Sequence, residues 1–568
     1  MKKIRVVLIF AAIALVPSLM FVLFGYTGHD FRAHQTSWME LRQAWLEGLF
    51  NPGWDGLANF KLGQPSFCFY PPLSQWLGAM LALVLPTVLV PAAFTWVALI
   101  VSGLTMFAAS EVFVAEEDRL KAAVLYMLNP YLLLIATIRF AASELLAQAW
   151  IPLVVLFFYR AVSGKSRRPV LWLGGALGLC WLTNIPLAIA SAYALLAVAA
   201  IVAIKRRSLI PLLHFAAAEC ISILLAAFYM VPAYMEQKWI SASGVLRSDF
   251  REFFIFASFS HQMRFKLICW LIACAEIALI LFASMRWRQA GDRVRQTFVE
   301  LGIVAFLFQI PLTIPLWEHL FKLWYVDFPF RFLALMGAAL PMVLLAKTSR
   351  RKILLPAYVT MGLLVILVLL GYSVGRPSAS VTAFPGFREY SASIHDGYPG
   401  LPEYVPVGAT QQIAPPALAP IAIAGDGPAG ECATALLSAA AWDKSFSVDS
   451  EQPCNVRLAI FDYPYWHAVD ERGDSLVISR NAEGLLLVAV PPGRHIVHLR
   501  FRVSSPLRTA SWVITSCMVL LFALTFLAEI CTRIRRRKDL AGTGNEESAN
   551  TLRASQAASS RDKPVSVS

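Results

Sequence analysis

Thirteen apolar blocks punctuate the chain, near residues 6–25, 73–90, 92–113, 120–137, 143–160, 170–183, 184–203, 208–231, 264–285, 297–315, 329–347, 352–372 and 509–531. Several hold roughly 20 residues with almost no charge, which is what an α-helix needs to cross about 30 Å of hydrocarbon. The pattern predicts an all-α polytopic membrane protein. Its first block, Val6 to Phe24 behind Met1-Lys2-Lys3, is long for a signal-peptide core, and no small-residue cleavage pattern precedes Tyr26. It reads as an uncleaved anchor with its amino terminus inside.

Charge between the blocks sets the expected sidedness. Basic runs at 164–168, 205–207, 286–295, 347–352 and 533–538 belong on the cytoplasmic side. Thirteen full crossings would put the last run outside. The block at 73–90 opens on Pro71-Pro72 and is followed by LPTVLVP, as suits a re-entrant or interfacial segment. With it excluded, about twelve crossings remain and both termini are cytoplasmic. Asp30, the Arg139–Glu144 loop, Asn184 and the loops 232–263, 316–328 and 373–508 then share the outer side.

Between the first two blocks, residues 28–73 are too polar to cross a bilayer and too apolar for a linker. Trp38, Leu41, Trp45 and Leu49 recur at helical spacing, which predicts an amphipathic helix near 30–50 lying along the membrane surface. At its mouth stand His29, Asp30 and, one turn on, His34. An acid with imidazoles at the end of a span suits proton transfer or a metal. Asp30 also fits a plain helix N-cap. Arg139 and Glu144, five residues apart in apolar sequence, either serve the same site or only pair with each other.

From residue 375 to 430 the chain is rich in Pro, Gly, Ala and Ser and reads as irregular. At 455–503 alternation sets in, with turn signals at Asn481–Gly484 and Pro491-Pro492-Gly493, predicting a small antiparallel β domain of about four strands. Asp462 and His467 within it read as solvated surface residues. The organisation expected is thus a membrane module over 1–372, an outer loop over 373–508 carrying the β domain, a last span at 509–531 and a basic, disordered tail from 532 to 568.

Composition narrows the function classes. Hydrophobic residues make up 58% of the 568, and mean hydropathy is +0.61, so a soluble globule is excluded. The net charge of +13 sits in short loops and reports topology, not nucleic-acid binding. The nine cysteines form no CxxC or other metal-ligand spacing. Only Cys432 and Cys454 lie in a long polar loop, where a disulfide forms if that loop faces an oxidising compartment.

GHDFRAH, then WxxxLFNPGW and LGQPSFCFYPPL, resembles the opening of the bacterial membrane-protein family called 6-pyruvoyl-tetrahydropterin synthase-related. LNPYLLLIATIRFAASELLAQAWIPL, AAFYMVPAYMEQKWI, FPFRFL, LPEYVPV and FDYPYWHAVD…PPGRHIVHLRF follow in order, covering nearly all of 1–530. That family is similar in layout to the GT-C class of multi-span glycosyltransferases, which use polyprenyl-phosphate sugars. The resemblance implies a GT-C-like fold in a bacterial inner membrane, with Asp30 matching the acid of the first outer loop that acts on the acceptor. Glu144 is the nearest match to a second acid that helps hold a metal, Mg or Mn, or the donor phosphate. His29, His34, Arg139 and Arg331 are then expected to bind substrate. At Asn184 the chain departs from the His common in the family. It also lacks the three-His zinc set of soluble pterin synthases, so pterin chemistry does not carry over.

The implied activity is transfer of a sugar from a lipid-linked donor to an envelope glycan or lipid. The rivals are a transporter or flippase of lipid-linked saccharide, and a non-catalytic scaffold of envelope polysaccharide assembly. An enzyme expects Asp30 and Glu144 on one outer cavity, a transporter expects polar groups at mid-depth, and a scaffold expects the acids far apart.

Overall fold

The computed structural model describes residues 3–24, 28–164, 167–241, 249–257, 263–285, 293–346, 354–374, 397–412, 414–423 and 432–559. Parts of the basic loops at 164–168 and 286–295, the whole of 347–352, and residues 375–396 and 424–431 of the long loop lie outside that set.

Helices dominate, as the apolar blocks predict. Among the described residues six helices are long and apolar enough to cross a membrane, and eight segments qualify if two pairs bent by 83°, at Leu225/Ala227 and Leu307/Pro311, each count as one. Shorter apolar helices cover Ile4–Leu19, Pro72–Val84, Pro329–Leu344 and Ala357–Val368. This is a multi-pass membrane protein. Its expected re-entrant block is the 13-residue helix Pro72–Val84, packed against the helix Phe31–Leu46.

That second helix differs from the expectation of a surface-lying amphipath. It spans Phe31–Leu46, and Trp38, Leu41, Ala44 and Glu40 are all buried. Trp38 stacks on Phe94 with ring centroids 4.7 Å apart and leaves no space for a Cβ at Gly78, where one would come within 2.3 Å of the indole. On its other side Glu40 accepts the backbone N–H groups of Gly56 (2.5 Å) and Leu57 (3.1 Å). The helix is covered on both faces because the chain after it folds back over it.

What it folds into is a β sandwich, larger than the sequence pattern suggested. Among the described residues nine strands start at Ile421, not near 455: β1 (Ile421–Ile423), β2 (Cys432–Ala439), β3 (Asp443–Ser450), β4 (Cys454–Phe461), β5 (Trp466–Val469), β6 (Ser475–Leu476), β7 (Ile478–Arg480), β8 (Leu485–Val490) and β9 (Gly493–Phe501). They form an antiparallel sheet ordered β1-β4-β8-β7 and another ordered β2-β3-β9-β5-β6. Inward positions alternate, as with Phe446 opposite Val497 and Val456 opposite Val488. The early strands, CATALLSA and DKSFSVDS, carry so much Ala, Ser and Asp that their alternation is faint in sequence. Cys432 and Cys454 are joined in a disulfide that ties β2 to β4, hence one sheet to the other.

The first loop plugs this sandwich. Trp54 is buried among Tyr463, Trp466 and Phe501, its carbonyl accepts from the Trp442 indole at 2.7 Å, and Leu62 accepts from the Phe461 amide at 2.8 Å. Gly63 permits this: it sits at φ +79°, with the Trp54 ring 2.3 Å from where a Cβ would stand. A segment at 397–412 straps the loops together. Tyr398 pairs with Leu57 and Phe60 (3.1 and 3.0 Å), and Val405 and Val407 pair with Ser241 and Trp239 (2.7 and 3.0 Å).

A buried ion pair pins the last helix to this assembly. Arg508 donates to Glu236 through Nη2 (2.5 Å) and Nε (2.9 Å), and Tyr465 of the sandwich also donates to Glu236 at 2.5 Å. Removing one partner strands the other charge in a low-dielectric setting, a cost of about 3–5 kcal/mol. Glu236→Ala is therefore expected to loosen the sandwich from the helices. The neighbouring Cys68 thiol, buried with its pKa pushed up to about 11 by that burial, reports it. Cys68 should resist maleimide in the wild type and react in the variant, read by peptide mass spectrometry. Wild-type protection in Glu236→Ala would show that the pair holds nothing.

The last helix runs on to Ser559, where the sequence reads as a disordered tail from 532. The helix passes through Gly542 and Gly544 before EESANTLRASQAAS, a stretch rich in good helix formers. Residues 560–568 lie outside the described set.

Candidate active site

The centre is built where the first loop meets the Arg139 turn. Helix geometry gives way to a π-turn over Ile135–Arg139, then to Phe140 in the left-handed region at φ +48°. Such breaks are frequent at functional sites. The Arg139 carbonyl accepts the Asp30 amide at 3.1 Å. Gly28 passes so close, at φ +136°, that a Cβ would fall 2.5 Å from Phe140. Asp30 is thereby fixed beside Arg139 by backbone contacts.

Asp30 occupies the N-cap position of the helix Phe31–Leu46, yet its side chain makes no capping bond. Its oxygens turn elsewhere. Oδ1 meets His29 Nδ1 at 2.6 Å and Oδ2 meets Arg139 Nη2 at 3.4 Å. Arg139 Nη1 continues to Glu144 Oε2 at 3.2 Å, and Arg331 Nε reaches the same oxygen at 3.1 Å. The remaining Glu144 oxygen accepts from the Tyr131 hydroxyl. Arg139 and Glu144 thus pair with each other and also join Asp30 and Arg331, so neither sequence alternative excluded the other. Both guanidiniums lie against the Phe328 ring, 5.0 and 4.9 Å from its centroid.

Acids and cations alternate along this chain, and their surroundings set protonation. Burial alone would push the Asp30 carboxyl up, but the His29 hydrogen bond and the Arg139 charge outweigh it and hold it well below the usual carboxylate range. His29 is raised above its ordinary value chiefly by its bond to Asp30. Its side chain is 76% exposed. His34 is buried against Trp38 and Tyr70, and burial pushes its pKa down to about 4. At neutral pH it is an uncharged ring.

All six residues border one cavity of about 1760 Å³. Near Asp30 its wall is polar: the Tyr70 hydroxyl pairs with Ser143 at 2.8 Å, and Asn184 donates to Ser143 at 3.1 Å. Glu403 and Tyr404 of the strap line it too. Away from Asp30 the wall is mostly apolar, with Ile185, Ile189, Ala192 and Phe215, although Glu219 lines it too. Leu196 and Ile223, which also line it, are 41% and 42% exposed on the surface of the helices 185–206 and 210–225. The cavity therefore joins a charged cluster to an apolar flank of the bundle.

A divalent metal does not fit Glu144 as it stands. Two guanidiniums and a phenol take up its oxygens, and a cation there would face both arginines. Among the described residues the cluster with metal-ligand spacing is Asp470, Glu471 and His495 in the sandwich, away from the cavity. Their acids already accept backbone N–H groups from Arg472, Asp474 and Ile496.

Tyr131, Phe328, Tyr70 and the strap residues Glu403 and Tyr404 were not singled out in the sequence. The first three look like ordinary aromatic or span residues, and the strap sits in a stretch whose Pro and Gly content signals only irregularity.

No family model matches the chain, and no curated protein does; the motif resemblance stands on the sequence alone. Among solved structures, the cryo-EM structure of arabinofuranosyltransferase AftD from Mycobacteria matches with TM-score 0.40 and 17% identity over 66% of this chain and 27% of that one. ArnT from Cupriavidus metallidurans, bound to undecaprenyl phosphate, matches with TM-score 0.42 and 14% identity over 68% of this chain and 69% of that one. This chain spans about a quarter of the length of AftD.

Proposed function

We propose that this protein is a GT-C-type membrane glycosyltransferase that moves a sugar from a polyprenyl-phosphate donor to a glycan or lipid acceptor on the outer face of a bacterial inner membrane, with about twelve crossings and both termini cytoplasmic. One observation carries the reading: a single cavity links an apolar, lipid-facing flank to a cluster of two acids and two guanidiniums.

In this account the donor's isoprenoid tail lies along Ile189, Leu196 and Ile223, and its phosphate stops at Arg139 and Arg331. Each guanidinium has five N–H donors. Two on each are engaged within the protein, so others remain for phosphate. Leaving-group departure raises the negative charge on that phosphate, and fixed guanidiniums stabilise such developing charge without reorganising. The acceptor hydroxyl approaches from the Asp30 side and gives up its proton there.

The scaffold reading expects Asp30 and Glu144 far apart, whereas Arg139 bonds to both. For the transporter reading there are mid-span acids, Glu219 and Glu276. Their bonds go to Trp181, Ser222 and Asn129; Glu219 lines the same cavity as Asp30, but neither acid bonds to the Asp30 cluster.

Undecaprenyl phosphate and undecaprenol, added to the purified protein in nanodiscs and read by native mass spectrometry, test the phosphate site. The phosphate should bind at least about tenfold tighter, a difference of 1.4 kcal/mol or more, and Arg331→Gln should erase most of that margin. Equal binding of the alcohol would remove the phosphate site.

A further inference from the structure

At the Asp30 centre the acid is the wrong atom set to receive a proton. Both of its oxygens are engaged, one by the His29 Nδ1 hydrogen bond at 2.6 Å and one by the Arg139 guanidinium at 3.4 Å. Every such contact stabilises the carboxylate and weakens it as a base. His29 is built the other way. One ring nitrogen is fixed by Asp30, the ring lines the cavity, and Nε2 has no partner among the described residues.

We infer that His29 Nε2 is the atom that takes the acceptor's proton, and that Asp30 is a positioning residue that fixes the ring's tautomer and holds the resulting imidazolium. This deepens the proposed transfer and rests on it. As the acceptor oxygen bonds to the anomeric carbon, the bond from that carbon to the phosphate oxygen breaks and its electron pair leaves on the polyprenyl phosphate. The hydroxyl proton passes to Nε2, and the imidazolium, paired with Asp30, then releases it to water. A hydrogen-bonded acid that orients an imidazole and stabilises its charged form is a recurrent catalytic device. It also suits the operating range, because an imidazole titrates near neutrality and an arginine-paired carboxylate does not.

The ionisable groups facing His29 are Asp30 beside it and Arg139 across the π-turn; His34 faces Asp30 from one helical turn further on. Asp30 raises the basicity of His29, chiefly through their hydrogen bond, and Arg139 lowers it, with a net rise. His29 must be neutral to act, so transfer should increase with pH through a half-point above about 6.5, the ordinary imidazole value.

Two measurements test this. The first follows release of polyprenyl phosphate from a panel of polyprenyl-phosphate sugars as a function of pH. His29→Gln should slow release by about 10²- to 10⁴-fold and abolish the acid limb of the profile. The second needs no substrate: the pH dependence of diethyl pyrocarbonate labelling at His29, read by peptide mass spectrometry, should show a half-point that falls in Asp30→Asn. An active wild type whose rate and acid limb survive His29→Gln overturns the base assignment alone. So does a labelling half-point that Asp30→Asn leaves unmoved. No release from any sugar of the panel removes the transferase reading, and the base assignment with it.

Discussion

Glu144→Ala is expected to cost the membrane module at least about 3–5 kcal/mol of stability, the penalty for breaking a buried ion pair. The side chain is fully buried. It is the shared anion of Arg139 and Arg331, and Arg331 is itself only 9% exposed. Without Glu144, Arg331 keeps only a carbonyl, that of Val326, as a bonded partner among the described residues, and Arg139 keeps Asp30 as its ion-pair partner, with Asp327 nearby. The Tyr131 hydroxyl also loses its acceptor. Glu144→Gln preserves the shape and can still accept from Tyr131, so it should cost less while leaving a net positive pocket. Thermal unfolding in detergent, followed by tryptophan fluorescence, should place the midpoints in the order wild type, Gln, Ala. An Ala variant as stable as the wild type would mean that the two guanidiniums do not depend on this acid.

Asp30→Asn should act on turnover instead of folding. The backbone bond from residue 30 to the Arg139 carbonyl survives the change, and the side chain caps no helix. What disappears is the charge that orients and raises His29 and half of the anionic pairing of Arg139. Removing the acid that orients a catalytic imidazole and holds its charged form lowers rates by up to about 10⁴-fold. The unfolding midpoint, by contrast, should move little, because about a quarter of the Asp30 side chain stays open to the cavity and solvent screens its contribution.

The parts of this structure legible in sequence are those written as local periodicity. Apolar blocks of membrane length became helices, and Asp30, His29, Arg139 and Glu144 stood out because charge at the edge of a span is costly. The helix at Phe31–Leu46 was legible as a helix but not in its setting. Its amphipathic face looks like a membrane anchor, and only the return of the chain through Trp54, Gly63 and the strap at 397–412 buries Glu40 as well. Long-range pairing of that kind leaves no local signature. The strands β2 and β3 were missed for a different reason: Ala and Ser on both faces blur a period of two. Arg331 was visible only as a charge before a span, and its role depends on meeting Glu144, which lies 187 residues away.

The central claim is that the Asp30 cluster and the lipid-facing arm of the cavity form one catalytic site. A single-turnover assay tests it most directly, with purified wild type and Asp30→Asn incubated with polyprenyl-phosphate sugars and outer-membrane or cell-wall acceptor extract. Formation of free polyprenyl phosphate together with glycosylated acceptor in the wild type, and at least about a hundredfold less in an equally well-folded Asp30→Asn, is the expected result. Equal product from both proteins would contradict it.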